Sequence, residues 1–168
     1  MPIISTDIQY RLSGGSGNTD VNASLGGVKS STSVGTGLHN LFDVVSSAEA
    51  SSGDTEYRCV YIHNNHGTLT MQSAKIWIVT NTPSTDTSIE IALGSSAVNG
   101  TEQTIANENT APTGVTFSTP SSLGTALSIG DIPAGQHKAV WIKRIVNAGA
   151  AAYNDDSATI RTQCDTAA

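Results

Sequence analysis

The sequence predicts an all-β protein: an antiparallel β-sandwich or jelly-roll-like single domain with an extended N-terminal arm. Three observations predict it. Ser and Thr number 21 each in 168 residues, and with Gly, Asn and Pro they make up 74; this is turn and strand chemistry, poor in helix formers. Seven or eight β-branched or aromatic stretches follow one another, separated by turn signals. No long helical crossover lies between them, which favours antiparallel over parallel pairing. An all-helical protein and a coiled coil are excluded, and no repeat of fixed period appears. A chain of this length buries roughly two-thirds of its unfolded surface, so it needs neither metal nor disulfide to fold.

The elements follow in order. Ile3 to Leu12 alternates and reads as an edge strand or an extended arm, carrying Ile3, Ile4, Ile8, Tyr10 and Leu12. Ser13 to Asn18 has linker composition, and Ser- and Gly-rich chain continues to Gly37. Such a segment cannot build its own core, so it is expected to lie on something else, for instance a neighbouring subunit. Residues 1–37 are therefore read as the arm and 38–168 as the sandwich domain. Leu38 to Ala50 has helical spacing at Leu38, Leu41, Phe42 and Val45, with Asn40 or Asp43 as a cap; a short helix and a turn followed by a strand both fit.

Glu56 to Asn64 is a strand, Leu69 to Met71 a brief one, and Ala74 to Thr80 is apolar enough for mid-sheet. Ser88 to Leu93 alternates cleanly, and Gly94 to Gly114 reads as a long polar loop. Val115 to Ser118 and Leu127 to Ile132 are strands, the second running into the Pro133-Ala134-Gly135 turn. His137 to Val146 is a long strand, and Ala158 to Cys164 closes the domain with Ala158, Ile160, Thr162 and Cys164 inward. The expected core holds Val60, Ile62, Ile76, Trp77, Ile78, Ile91, Val140, Trp141, Ile142 and Ile160.

Net charge is −6 with only 8 Lys and Arg, and no basic stripe exists to neutralise phosphates, so nucleic-acid binding is not expected. No apolar run approaches the ~18 residues of a membrane span. Met1 to Gly15 carries Asp7 and Arg11 and lacks the apolar centre of a secretion signal, so assembly in the cytoplasm is expected. Cys59 and Cys164 then read as small buried apolar residues, with a disulfide between them as the other option.

The chemistry-bearing residues form no recognisable site. His63 and His66 lack further metal ligands at suitable spacing. The pairs Asp54 with Glu56 and Asp155 with Asp156 sit in polar turns rather than in a setting that raises one carboxyl for acid-base work. The glycine clusters match no phosphate-binding loop and no nucleophile elbow. No enzyme activity, metal or cofactor is expected. Trp77 and Trp141 read as core, with carbohydrate stacking as the other option.

The wording of several stretches adds a resemblance. Asn18 to Ser33 (NTDVNASLGGVKSSTS), Asn40 to Asp43 (NLFD), Gly53 to Cys59 (GDTEYRC) and Ile132 to Arg144 resemble small structural proteins of tailed bacteriophages. The similarity is one of texture and order from about Ile8 to Thr166, without a sharp motif. It implies a virion protein, and an acidic β-sandwich with an arm looks most like a capsid decoration (cement) protein on the capsid exterior. The implied partners are the major capsid protein and further copies of the chain, a trimer ahead of a dimer. An arm that orders on binding would place Ile3, Ile4, Ile8, Tyr10, Leu12, Val21, Leu25, Val28 and Val34 at the capsid contact. The alternatives are a phage tail or baseplate protein and a glycan- or host-surface-binding sandwich.

Overall fold

Strand alternation divides the chain into layers. A computed structural model describes residues 2–166. Its strands are β1 (Ile8–Leu12), β2 (Gly26–Gly27), β3 (Asp54–Asn64), β4 (Met71–Thr80), β5 (Thr87–Leu93), β6 (Glu102–Thr104), β7 (Leu127–Ile132), β8 (His137–Val146) and β9 (Thr159–Thr166). One sheet runs β1-β3-β8-β5 and a second runs β7-β4-β9, with every pairing antiparallel. The two short strands β2 and β6 pair separately. The architecture is the expected all-β sandwich.

The core between the sheets comes from one side of each strand: Val60 and Ile62 on β3, Ile76 and Ile78 on β4, Ile89 and Ile91 on β5, Ile129 and Ile132 on β7, Val140 and Ile142 on β8. Burying each such side chain contributes about 1.5–3 kcal/mol. Met71 and Ala74 both face this core although three residues apart, because β4 bulges between them and Ser73 takes φ 49°. Ile160 and Cys164 pack on it from β9, as the alternation predicts.

The opposite side of the four-stranded sheet carries a second core, which the sequence reading did not anticipate. Tyr57, Cys59 and Tyr61 from β3 meet Ala92, Ala139, Trp141 and Ile105 there, with Leu25, Val115 and Phe117 packed around them. The chain that read as linker and polar loop forms the cover. Trp141 belongs to this second core rather than to the sandwich interior. Trp77 faces away from Ile76 and Ile78, and the Arg161 guanidinium lies 5.9 Å from its ring centre. Cys59 and Cys164 are both free, one against each core.

Buried polar groups hold the cover down. Glu102 is 3% exposed. Its carboxylate accepts from the Ser95 and Ser96 backbone at 3.1 and 2.9 Å, from the Ser95 hydroxyl at 2.8 Å and from Trp141 Nε1 at 3.4 Å. Burial alone would raise its pKa, but these donors outweigh burial and hold it at about 2. Tyr61 donates to the Gly27 carbonyl and accepts from the Glu102 N–H. The Ser13 hydroxyl donates to the Cys59 carbonyl at 2.8 Å.

The expected arm needs correction. β1 pairs with β3 along its length, from Ile8 opposite Asn64 to Leu12 opposite Val60. The Tyr10 hydroxyl reaches Thr162 on the facing sheet at 2.7 Å. The segment from Ser13 to Val34 does lie on another surface, but that surface is the chain's own four-stranded sheet. Residues 8–34, most of the expected arm, are thus part of the sandwich body, and Met1 lies outside the described residues. The helical spacing of Leu38 to Val45 also misleads, since 38–42 turn and bend and 43–46 run without regular structure. The helix, α1 (Ser47–Ser52), starts later, with Ser46 and Glu49 forming a reciprocal cap.

Candidate functional site

Glu56 and Arg58 stand mid-strand in β3, where charges need partners to be buried. Arg144 lies opposite Glu56 in register and pairs with its carboxylate. Arg58 pairs with Glu108 and donates to Asn22 Oδ1 at 3.0 Å. Phe42 packs against both guanidiniums, its ring centre 5.4 Å from that of Arg58 and 5.0 Å from that of Arg144. Arg144 also bonds the Asp43 carbonyl and carboxylate, at 2.6 and 3.2 Å. Together these contacts pin segment 35–46 as a strap over one end of the sandwich.

Burial pushes the Glu56 carboxyl up to about 7, with Arg144 and Arg58 pulling the other way and Asp43 adding to the rise. Oxygens of Asp43, Glu56 and Glu108 lie within 4.8 Å of one another, close enough for a cation. The guanidiniums of Arg58 and Arg144 already neutralise them, so the cluster is an ion-pair network.

Beside the strap the sandwich is open. A groove of about 1470 Å³ has Tyr10, Val60, Ile89, Ile142 and Ile160 along its floor. The strap forms one wall, and α1 with the β8–β9 loop forms the other. That loop is built rather than loose: Gly149 and Ala150 donate to the Ala50 carbonyl, and Asp156 accepts from Ser84 N and from the Thr87 hydroxyl. Leu38, Val44 and Tyr153 stand at its rim with 60%, 62% and 55% exposure. Asp43, Asp155 and Asp156 also line it, against one cation, Arg144. The arrangement is an apolar trough with an acidic margin.

The residues expected at a partner surface are scattered. Ile3, Ile8, Tyr10 and Val34 pack on the sandwich core, and Leu25 packs on the second core. Leu12 is 1% exposed. Val21 is half-buried and begins a short turn whose next two residues are exposed. Ile4 and Val28 alone among the nine are exposed, at 50% and 49%. Tyr10 and Val34 do line the groove. Trp141 is wholly buried and Trp77 is 6% exposed, so neither offers a stacking platform for sugar. Sequence reasoning missed Leu38, Val44 and Tyr153 as a group, because the loops carrying them meet only in the fold. Comparison with protein families, with curated proteins and with solved structures finds no match.

Proposed function

We propose that this chain is a structural virion protein of a tailed bacteriophage, a decoration protein that binds the outside of the expanded shell where major capsid protein subunits meet. The resemblance quoted above supports the phage setting. One observation supports a binding role: three of the protein's exposed large apolar side chains, Leu38, Val44 and Tyr153, gather around one open apolar groove. Clustered exposure of this kind marks interaction surfaces, whereas single exposed apolar residues are ordinary. The acidic margin of the groove fits a basic segment with apolar anchors on the major capsid protein. The contact is thereby proposed at the groove, in place of a free N-terminal arm.

The test mixes purified protein with expanded capsids that lack it and reads co-sedimentation. Stoichiometric decoration is expected. The paired change Leu38→Asp with Val44→Asp should weaken it roughly tenfold or more, since two apolar contacts are exchanged for charges. Decoration untouched by the pair would displace the groove as the contact. No shell binding at all would move the protein to the tail or baseplate.

A further inference from the structure

Among the described residues, three of the four edges of the two main sheets are blunted. The outer edge of β1 is taken up by segment 30–34, through Val34 N to the Tyr10 carbonyl and Leu12 N to the Thr32 carbonyl. The outer edge of β5 is covered by side chains and a bridge. Asn81 bonds both the N–H and the C=O of Ile89, Thr82 bonds the Thr87 carbonyl, and Ser118 exchanges two bonds with Ile91. β7 is six residues long, bulged, and turned by Gly130 at φ 84°.

Among the described residues β9 is dressed only at Thr162, which the Tyr10 hydroxyl reaches; no strand, bridge or bulge of its own blunts the rest. It is eight residues long and pairs with β4 alone, and the bulges in that pairing fall on β4. Among the described residues no other backbone bond reaches it. Its outward side chains Arg161, Gln163 and Asp165 are exposed. Among the described residues neither Arg161 nor Asp165 has an ionic partner. Four residues along one strand span about 13 Å, so the two cannot reach each other within a protomer.

We infer that β9 pairs with β9 of a second copy of this chain, antiparallel about a two-fold axis through Gln163, joining two three-stranded sheets into one of six strands. The charges select this register. With Gln163 on the axis, Arg161 of each copy stands opposite Asp165 of the other, twice over. Centring on Arg161 or on Asp165 would set like charges together, and centring on Thr162 or Cys164 would leave both charges unmatched. On the inner face the same register sets Thr162 against Cys164. The inference commits to a two-fold pair rather than the trimer, and it concerns purified protein alone, independent of any shell.

The experiment is sedimentation equilibrium of the full chain with a charge swap. Wild type is expected to be dimeric. Arg161→Asp and Asp165→Arg, each made alone, create like-charge pairs and should raise the dissociation constant roughly tenfold or more. The double variant Arg161→Asp with Asp165→Arg should restore it. Far-UV circular dichroism checks that each variant folds. A second reading uses Gln163→Cys in a Cys164→Ser background, which should form an intermolecular disulfide under mild oxidation because the two position-163 side chains face each other. A monomer at about 100 µM, well above typical specific affinities, would overturn the inference. So would an oligomer whose mass is indifferent to the swaps.

Discussion

Each sheet has two edges and an outer face, and the chain treats the two sets differently. The four-stranded sheet is dressed throughout: β1 by segment 30–34, β5 by Asn81, Thr82 and Ser118, and the outer face by the second core. The three-stranded sheet has a bulged edge at β7, a bare edge at β9, and an outer face where Ser73, Arg161, Gln163 and Asp165 are exposed. Unpaired edges invite strand addition, and proteins normally suppress them. The lesson is that the dressing is selective. One sheet is closed on its edges and outer face, and the other keeps one long regular edge.

The contrast can be broken hardest from beneath the dressing. Trp141→Ala removes the largest side chain of the second core and the Nε1 bond to Glu102. It should cost about 3–5 kcal/mol in urea denaturation. A cost under about 1 kcal/mol would mean that the covering loops are not energetically tied to the sheet. Next, Asn81→Ala leaves both backbone groups of Ile89 without their partner. It should cost about 1–3 kcal/mol and make β5 behave like β9, with new concentration-dependent association seen by light scattering.

Phe42→Ala withdraws the ring packed against Arg58 and Arg144. The expected global loss is smaller, about 1–2 kcal/mol, because the ring is only part-buried. The sharper readout is proteolysis confined to segment 35–46, several-fold faster than in wild type.

The smallest effect is electrostatic. His63 lies under the dressing and bonds the Gln136 carbonyl at 3.1 Å. Burial, then Lys29 and Arg11, push its pKa down to about 4. The unfolded chain therefore takes up a proton near 6.5 that the folded chain refuses, and stability falls as pH drops from about 6.5 to about 4. Glu56 opposes this: raised to about 7, it adds stability as pH drops from about 7 to about 4.5. His63→Gln should leave the Glu56 trend alone, so the urea midpoint should rise, relative to wild type, on going from about pH 7 to about pH 5. An unchanged pH profile would mean that His63 titrates freely.

Much of the sandwich was legible in the chain. The alternation of β3, β5, β8 and β9 and the Pro133-Ala134-Gly135 turn fixed strands and faces, because period-two burial is a local signal. The second core was not, because residues such as Leu25, Ile105 and Val115 stand alone among Ser, Thr, Asn and Gly and gain meaning only when the loops converge on Trp141. Spacing also suggested a helix at Leu38 to Val45, where two guanidiniums and a sheet end instead hold Phe42 and Asp43 in irregular chain. Glu56 reads in sequence as part of a polar turn, but β3 buries it together with Arg58, and neither charge announces its partner. Which residues would answer them depends on register, and register is a property of the whole sheet.

The Tyr10–Thr162 bond joins residues 152 apart in sequence. That closure governs the order of folding. β4 gains its partner β9 only after most of the chain has been made, so until then a strongly apolar strand has an unfilled side. Folding dominated by such distant pairings is slow, on the order of milliseconds to seconds. The nascent protein is therefore most vulnerable to aggregation shortly before β9 arrives.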